Sequence, residues 1–163
     1  MRKTASDPSV PQPGEGKRGE QGYLGYLLRQ ASVAVRIRME RDLSEENVTP
    51  PQFAVLTMVR AYPGLSNADL ARLSLLTPQT VSVIVSNLKR SGWLASRPHA
   101  VHGRIQQIEI TKTGRDLLAR CRPHIQRIEK RLAAGLSANE ERIIRRWLVH
   151  VAMDAPQGER GEP

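Results

Sequence analysis

The stretch that decides the fold is residues 66–94, SNADLARLSLLTPQTVSVIVSNLKRSGWL. Ser66, followed three residues later by an acid, predicts the capped start of a short helix that ends near Leu73. Thr77-Pro78 predicts the start of a second helix, whose apolar residues recur at helical spacing until Ser91-Gly92 ends it. A short helix, a tight turn and a longer helix, in that order, are typical of a helix-turn-helix.

The flanking residues complete a winged version of this motif. Within residues 105–110, Ile108 and Ile110 alternate with Gln107 and Glu109, and with residues 93–97 this segment predicts a β-hairpin whose turn contains His and Gly. Upstream, Thr49-Pro50-Pro51-Gln52 predicts a capped helix that runs to about Ala61. The expected fold class is therefore mainly α with a small β-hairpin wing, and the winged helix-turn-helix spans about residues 50–112.

Amphipathic helices are predicted on both sides of this core, over about residues 22–43 and 114–153. In the second region Leu118, Cys121, Ile125, Ile128 and Leu132 follow one another at steps of three and four, which is typical of a seam that packs on another helix. Pro123 interrupts this seam and predicts a kink or an irregular helix start. A capping box, Ser137 to Glu140, begins the last helix. Apolar seams outside a small core need another helix to pack against.

Length and composition limit the number of domains and the kind of core that the chain can form. The chain has 163 residues, with 4% aromatic residues and 39% hydrophobic residues, enough for one domain with an aliphatic core. Residues 1–21 and 155–163 are rich in Pro, Gly and charge, which predicts a flexible arm and a flexible tail around a single domain at residues 22–154. The formal net charge of +9 favours a polyanionic partner such as nucleic acid.

Several classes of protein are excluded or disfavoured by what the sequence lacks. There is one cysteine, so no intrachain disulfide forms, and there is neither an apolar run long enough to span a membrane nor a secretory signal. We expect a cytoplasmic protein without a membrane partner. No phosphate-binding loop, nucleophile motif or metal-ligand set occurs, so we expect no enzyme activity, cofactor or metal. Cys121 and His124 share a helix face, but a buried core cysteine is the simpler interpretation.

The second helix of the motif carries the candidate recognition surface. Because the N-terminal turns of such a helix enter the major groove of DNA, its solvent side should be small, polar and free of acids. The residues predicted there are Gln79, Thr80, Ser82, Val83, Ser86 and Asn87. Gln79 is the best candidate for reading a base edge, and Val83 for contacting a thymine methyl group. The hairpin adds Arg97, His102 and Arg104 as candidates for phosphate or minor-groove contacts.

Taken together, these motifs resemble those of MarR-family transcriptional regulators, from about Gly22 to Met153. The resemblance rests on six ordered blocks, at residues 25–29, 49–56, 68–71, 77–82, 88–94 and 110–114. It implies a two-fold dimer built by the first and last helices, which binds a pseudo-palindromic operator in double-stranded DNA, often as a repressor of its own or a neighbouring promoter. It also implies a small-molecule effector, with aromatic acids as the common class. By the same resemblance, Ser66, Asn67, Thr77 and Pro78 join the DNA-binding candidates.

One position departs from the family pattern. The family wing carries Asp-x-Arg near its tip; here Arg104 matches the arginine, but His102 stands in place of the aspartate. The usual carboxylate support for the arginine is missing, which predicts a more flexible wing. Two alternatives to an operator-specific regulator remain open at this point: a winged-helix module that binds proteins, and a nonspecific DNA-binding protein.

Overall fold

A computed structural model of the chain describes residues 10–98 and 106–154. Its regular elements, in chain order, are α1 (Leu24–Ser44), α2 (Pro50–Ala61), α3 (Asn67–Ser74), α4 (Pro78–Arg90), β1 (Leu94–Pro98), β2 (Gln106–Ile110), α5 (Lys112–Leu132) and α6 (Ala138–Met153). A short 3-10 helix, Gly16–Arg18, precedes them. The predicted fold class, mainly α with a hairpin wing, is confirmed. The chain divides into two compact units, one ending at His124 and the other beginning at Ile125.

Capping residues explain where three of the helices begin. The Thr49 hydroxyl accepts from the Gln52 backbone amide at 3.4 Å, while the Gln52 side chain accepts from the Thr49 amide at 3.0 Å. Ser66 before α3 and Ser137 before α6 form the same reciprocal arrangement. These pairs satisfy backbone amides that have no partner inside the helix. All three predicted capping boxes are confirmed.

The core of the first unit lies between the end of α1, α2, α3, α4, the hairpin and the first half of α5. Its fully buried large side chains are Leu43, Val55, Leu56, Leu70, Val81, Leu88, Leu117 and Cys121. The hairpin is antiparallel, with Leu94 opposite Ile110 and Ser96 opposite Ile108. Leu94 and Ile108 are buried, so one face of the hairpin packs on the core and the other is left for solvent.

Helix α5 differs from the prediction at its start. It begins at Lys112 instead of 114, because the Thr111 hydroxyl accepts from the Gly114 amide at 3.0 Å and so acts as a cap. Pro123 lies inside this helix, and the residues around it are helical, so the irregular start is excluded while the kink stays a prediction.

Part of the predicted flexible arm has a defined conformation. Arg18 Nε donates to Gln30 Oε1 at 3.1 Å, and Gln30 Nε2 donates back to the Arg18 carbonyl at 3.1 Å. Arg18 Nη1 also donates to the Pro11 carbonyl at 2.7 Å. These bonds hold residues 10–22 against the start of α1. The flexibility of the rest of the arm, and of the tail, stays a prediction.

The second unit contains the end of α5 and the whole of α6. No residue of α6 is buried. Its apolar stripe, predicted from spacing, is exposed in the single chain: Ile143, Ile144, Trp147, Leu148 and Val151. Across the described ranges, none of the helices has both the length and the apolar character that a membrane crossing requires.

Candidate nucleic-acid interface

The first turn of α3 places Ser66 and Asn67 at the surface. Ser66 serves as the helix cap, since its hydroxyl donates to Asp69 Oδ2 at 2.6 Å and accepts from the Asp69 amide at 3.2 Å. Hydrogen bonds from the Ser66 hydroxyl, the Arg72 guanidinium and the Ser66 amide hold the pKa of the Asp69 carboxyl below its usual value. The Ser66 hydroxyl is therefore already engaged, whereas Asn67 is exposed at the start of the helix.

The turn between α3 and α4 contains an unexpected residue. Leu75 ends α3 in the left-handed conformation, with φ of 55°, and its side chain is 91% exposed. The Leu75 amide bonds the Arg72 carbonyl, and the Leu76 amide bonds the Ala71 carbonyl at 3.0 Å. Glycine is the usual residue for such a turn, so the sequence carried no signal for this conformation.

Helix α4 presents the predicted polar face to solvent. Val81, Ile84, Val85 and Leu88 are buried, which turns Gln79, Thr80, Ser82, Val83 and Ser86 outward. Within the described part of the chain, Gln79 and Ser82 make no side-chain hydrogen bond, so both are available to a partner. The predicted solvent-side placement of these residues is confirmed.

The N-terminal turn of α4 is built by Thr77, Pro78 and Thr80. The Thr80 amide donates to the Thr77 hydroxyl at 3.2 Å, and the two threonine hydroxyls lie 2.8 Å apart. Pro78 occupies the first helical position, where it has no amide hydrogen to leave unpaired. This turn combines exposed hydroxyls with the positive end of the helix dipole, an arrangement that suits a phosphate group.

The wing positions Arg97 on its outer face. Arg97 Nε lies 3.0 Å from Glu109 Oε2 across the two strands. Sequence analysis did not identify Glu109 as part of the site. His102 and Arg104 lie outside the described residues, so their roles stay predictions.

A compact junction ties the end of α4 to the start of α5. The hydroxyls of Thr111 and Thr113 each donate to the Gly92 carbonyl at 2.7 Å, and the Thr111 amide donates to the Trp93 carbonyl at 3.1 Å. A Cβ atom on Gly114 would lie 2.2 Å from the Trp93 carbonyl oxygen, so only glycine fits there. This junction couples the candidate recognition helix to α5.

The positive charge of this region is partly compensated within the chain. Residues 66–112 hold six lysines and arginines against Asp69 and Glu109. Arg72 Nη2 lies 2.5 Å from Asp69 Oδ1, and Lys112 Nζ lies 2.9 Å from Asp116 Oδ2. The hydrogen bond from Lys112 is the main cause that lowers the pKa of the Asp116 carboxyl. Exposed pairs of this kind are weak and can be exchanged for phosphate contacts.

Cys121 and His124 lie in the interior. Burial, followed by the nearby Glu46 carboxylate, raises the pKa of the Cys121 thiol and so disfavours the thiolate form. His124 Nε2 lies 3.9 Å from Glu45 Oε2. No group of three potential metal ligands occurs among the residues that the structure describes. The interpretation of Cys121 as a buried core residue is confirmed.

Comparison with known proteins gives consistent matches to one family. The MarR family model matches residues 46–105. The chain is 32% identical to the HTH-type transcriptional repressor Rv2887 of Mycobacterium tuberculosis over 131 residues, which is 80% of this chain and 94% of the repressor.

Solved structures of the same repressor, and of a second regulator, share the fold. Rv2887 in complex with DNA matches with a TM-score of 0.65 and 31% identity, covering 80% of this chain and 98% of that one. Rv2887 in complex with salicylic acid matches with a TM-score of 0.66 and 31% identity, covering 81% and 98%. The PcaV transcriptional regulator of Streptomyces coelicolor matches with a TM-score of 0.71 and 29% identity, covering 82% and 94%.

Proposed function

Because the chain belongs to the MarR family of transcriptional regulators, we propose that it binds operator DNA as a homodimer and releases it when a small aromatic acid binds. The observation that carries DNA binding is the exposed, acid-free polar face of α4. The structure of Rv2887 with DNA supports the same role for this fold. Binding to genomic operators would place the protein in the cytoplasm.

Helix α4 supplies the sequence-reading part of this proposal. Gln79 is exposed in the first turn of the helix and carries both a donor and an acceptor, which matches the major-groove edge of adenine. Val83 is 58% exposed on the same side and offers an apolar contact for a thymine methyl group. Thr77, Pro78, Thr80, Ser82 and Ser86 surround these two residues. We assign phosphate contacts to the hydroxyls among them and to Asn67.

The dimer rests on the apolar surfaces of α1 and α6. A helix with no buried residue, such as α6, gains little stability from its own chain. Trp147 and its apolar neighbours would be buried by a second copy, as would Val33 and Ile37 on α1, which are both exposed in the single chain. A two-fold dimer then presents two copies of α4 to two half-sites about 34 Å apart.

The effector changes the spacing between the two recognition helices of the dimer. A ligand releases the operator only if it binds more tightly to a dimer whose recognition helices are wrongly spaced. A cavity of about 580 Å³ lies between the end of α1 and the start of α2, a size that accepts a small aromatic ring. Its described lining includes Glu40 but neither lysine nor arginine, so an acid bound there would need a cation from outside this lining.

Selection of bound fragments from the sheared source genome, at about 150 mM salt to suppress purely electrostatic binding, tests the proposal. We expect enrichment of one or a few pseudo-palindromic sites next to promoters. Diffuse enrichment would instead identify a nonspecific DNA-binding protein, and no enrichment would favour the protein-interaction module.

Salicylate and salicylamide form a matched pair of probes for the class of effector. Salicylate should reduce binding to an enriched fragment and raise the midpoint of thermal unfolding, because it binds the folded dimer. Salicylamide has the same ring and hydroxyl group without the carboxylate and should do neither. Equal effects of the two compounds would show that the carboxylate is not recognised.

A further inference from the structure

The wing contains one carboxylate in an otherwise cationic region. Between Asp69 and Asp116 the sequence holds no aspartate or glutamate except Glu109. A carboxylate beside a DNA-binding surface repels phosphates. The strand register shows which side chain this carboxylate contacts instead.

The register places Glu109 on the same face as Arg97. Ala95 lies opposite Glu109, and Arg97 lies opposite Gln107, so these four side chains share the outer face of the hairpin. Arg97 and Glu109 are diagonal neighbours on that face, which is within reach for long side chains. Their contact joins Arg97 Nε to Glu109 Oε2 at 3.0 Å.

This contact uses the inner nitrogen of the guanidinium. A partner at Nε lies on the side edge of the guanidinium, so the end edge, formed by one N–H from each terminal amino group, points away from the carboxylate and can form a paired contact with a phosphate. The Arg97 side chain is 72% exposed and that of Glu109 is 39% exposed, so the pair adds little to folding stability. The pair instead restricts the position of the Arg97 guanidinium group.

On the basis of the proposed DNA binding, we propose that Glu109 is a positioning residue, which holds Arg97 extended along the wing so that its terminal amino groups meet a DNA phosphate. The ordering of a long side chain is then complete before DNA arrives, and less conformational entropy is lost on binding. The wing thus has a carboxylate support at Glu109, although His102 replaces the aspartate of the family pattern near the tip.

The test measures binding of a labelled random-sequence duplex of about 24 base pairs at about 50 mM salt, where phosphate contacts dominate. The variants are Glu109→Gln, Arg97→Ala and the double variant. We expect Glu109→Gln to weaken binding about twofold to fivefold, although it removes a negative charge. Arg97→Ala should weaken binding at least as much and reduce the slope of log affinity against log salt by about one. The double variant should bind like Arg97→Ala alone.

A matched control separates this role from a general charge effect. Glu141→Gln removes an exposed carboxylate that is also paired with an arginine, Arg145, at 2.7 Å on α6, and should leave DNA affinity unchanged. All variants should keep the thermal unfolding midpoint within about 2 °C, because the pairs are exposed.

Two results for the single variants would contradict the positioning role. Tighter binding by Glu109→Gln would show that Glu109 only repels DNA, and unchanged binding by either single variant would remove the pair from the interface. Each of these would overturn the positioning role while leaving the proposed function intact. Failure of the unmodified protein to bind this duplex would overturn the positioning role at a nonspecific phosphate contact, whereas the proposed function fails only if the genomic selection enriches no operator.

Discussion

Leu75, in the turn of the helix-turn-helix, has an unfavourable backbone conformation. Its φ of 55° belongs to the left-handed region, and its side chain is 91% exposed, so no burial offsets the strain. A glycine there would adopt this backbone without a steric cost.

Replacement of Leu75 by glycine should therefore raise the free energy of unfolding by up to about 1 kcal/mol, since the relief of strain exceeds the entropy that glycine adds to the unfolded chain. Urea unfolding measures the change. Leu75→Ala retains Cβ and should remain close to the unmodified protein. A clear loss of stability in Leu75→Gly would mean that the exposed leucine has a partner in the assembled protein.

Gln79 carries the strongest prediction about sequence recognition. Gln79→Ala should change the preference at particular base pairs by about 1 to 3 kcal/mol, because the side chain can bond a base edge in two places. Competition between operator variants measures this preference. Arg104→Ala, proposed to contact the backbone or minor groove, should weaken all operators similarly. If Gln79→Ala altered neither affinity nor preference, the assignment of α4 would be wrong.

At the level of elements, the junction around Gly92 joins α4, the wing and α5. Two threonine hydroxyls, from Thr111 and Thr113, converge on the Gly92 carbonyl, and Gly114 lies against the Trp93 carbonyl. Hydrogen bonds and close packing both oppose movement of α4 relative to the start of α5. A displacement of α5 would therefore be transmitted to the recognition helix.

Gly114→Ala should lower the free energy of unfolding by about 1 to 3 kcal/mol, because its Cβ would overlap a backbone oxygen that cannot move aside easily. Gly25→Ala is the matched control. A Cβ at Gly25 meets nothing within 4 Å, and alanine in a helix should stabilise by about 0.5 kcal/mol. Similar effects of the two substitutions on thermal unfolding would contradict the close packing at Gly114.

The cap of α6 predicts a dependence on pH. Hydrogen bonds from the Ser137 hydroxyl and amide lower the pKa of the Glu140 carboxyl from its usual 4.5. Since the folded-state pKa is the lower one, this stabilisation is complete above pH 4.5 and is lost as the pH falls through the folded-state value.

Glu140→Gln keeps an acceptor oxygen without a titrating group, so its urea midpoint should fall less steeply between about pH 5 and about pH 3 than that of the unmodified protein. Ser137→Ala should lower stability at neutral pH by about 1 kcal/mol and also flatten the acid dependence. Identical acid profiles for all three proteins would show that this cap does not control the acid response.

At the scale of the whole molecule, the proposed dimer predicts opposite outcomes for two faces of α6. Ile144 lies in the apolar stripe at 40% exposure, and Val149 lies on the opposite side of the helix at 58% exposure. Ile144→Arg should dissociate the dimer, because a charge would be buried without a partner. Val149→Arg adds the same charge and should remain dimeric in sedimentation. A dimeric Ile144→Arg protein would remove this stripe from the interface.

The sequence by itself determined where most elements begin and end and which face of α4 meets solvent. Helix caps, prolines and the spacing of apolar residues act over a few positions, so Thr49, Ser66, Thr77 and Ser137 could be identified as helix starts without a structure. Contact of the α4 residues with DNA stays a prediction.

Only the tertiary structure decided which distant residues meet. Arg97 and Glu109 pair because the strand register places them on one face, and the Thr111 hydroxyl reaches the Gly92 carbonyl because the wing folds back on its own start. In the single chain the predicted seam of α5 is buried at Leu118, Cys121 and Ile128, whereas Leu132 is exposed, and His124, which the seam did not include, is buried. Periodicity identifies a helix face, whereas the depth of each residue depends on neighbours contributed by other parts of the chain.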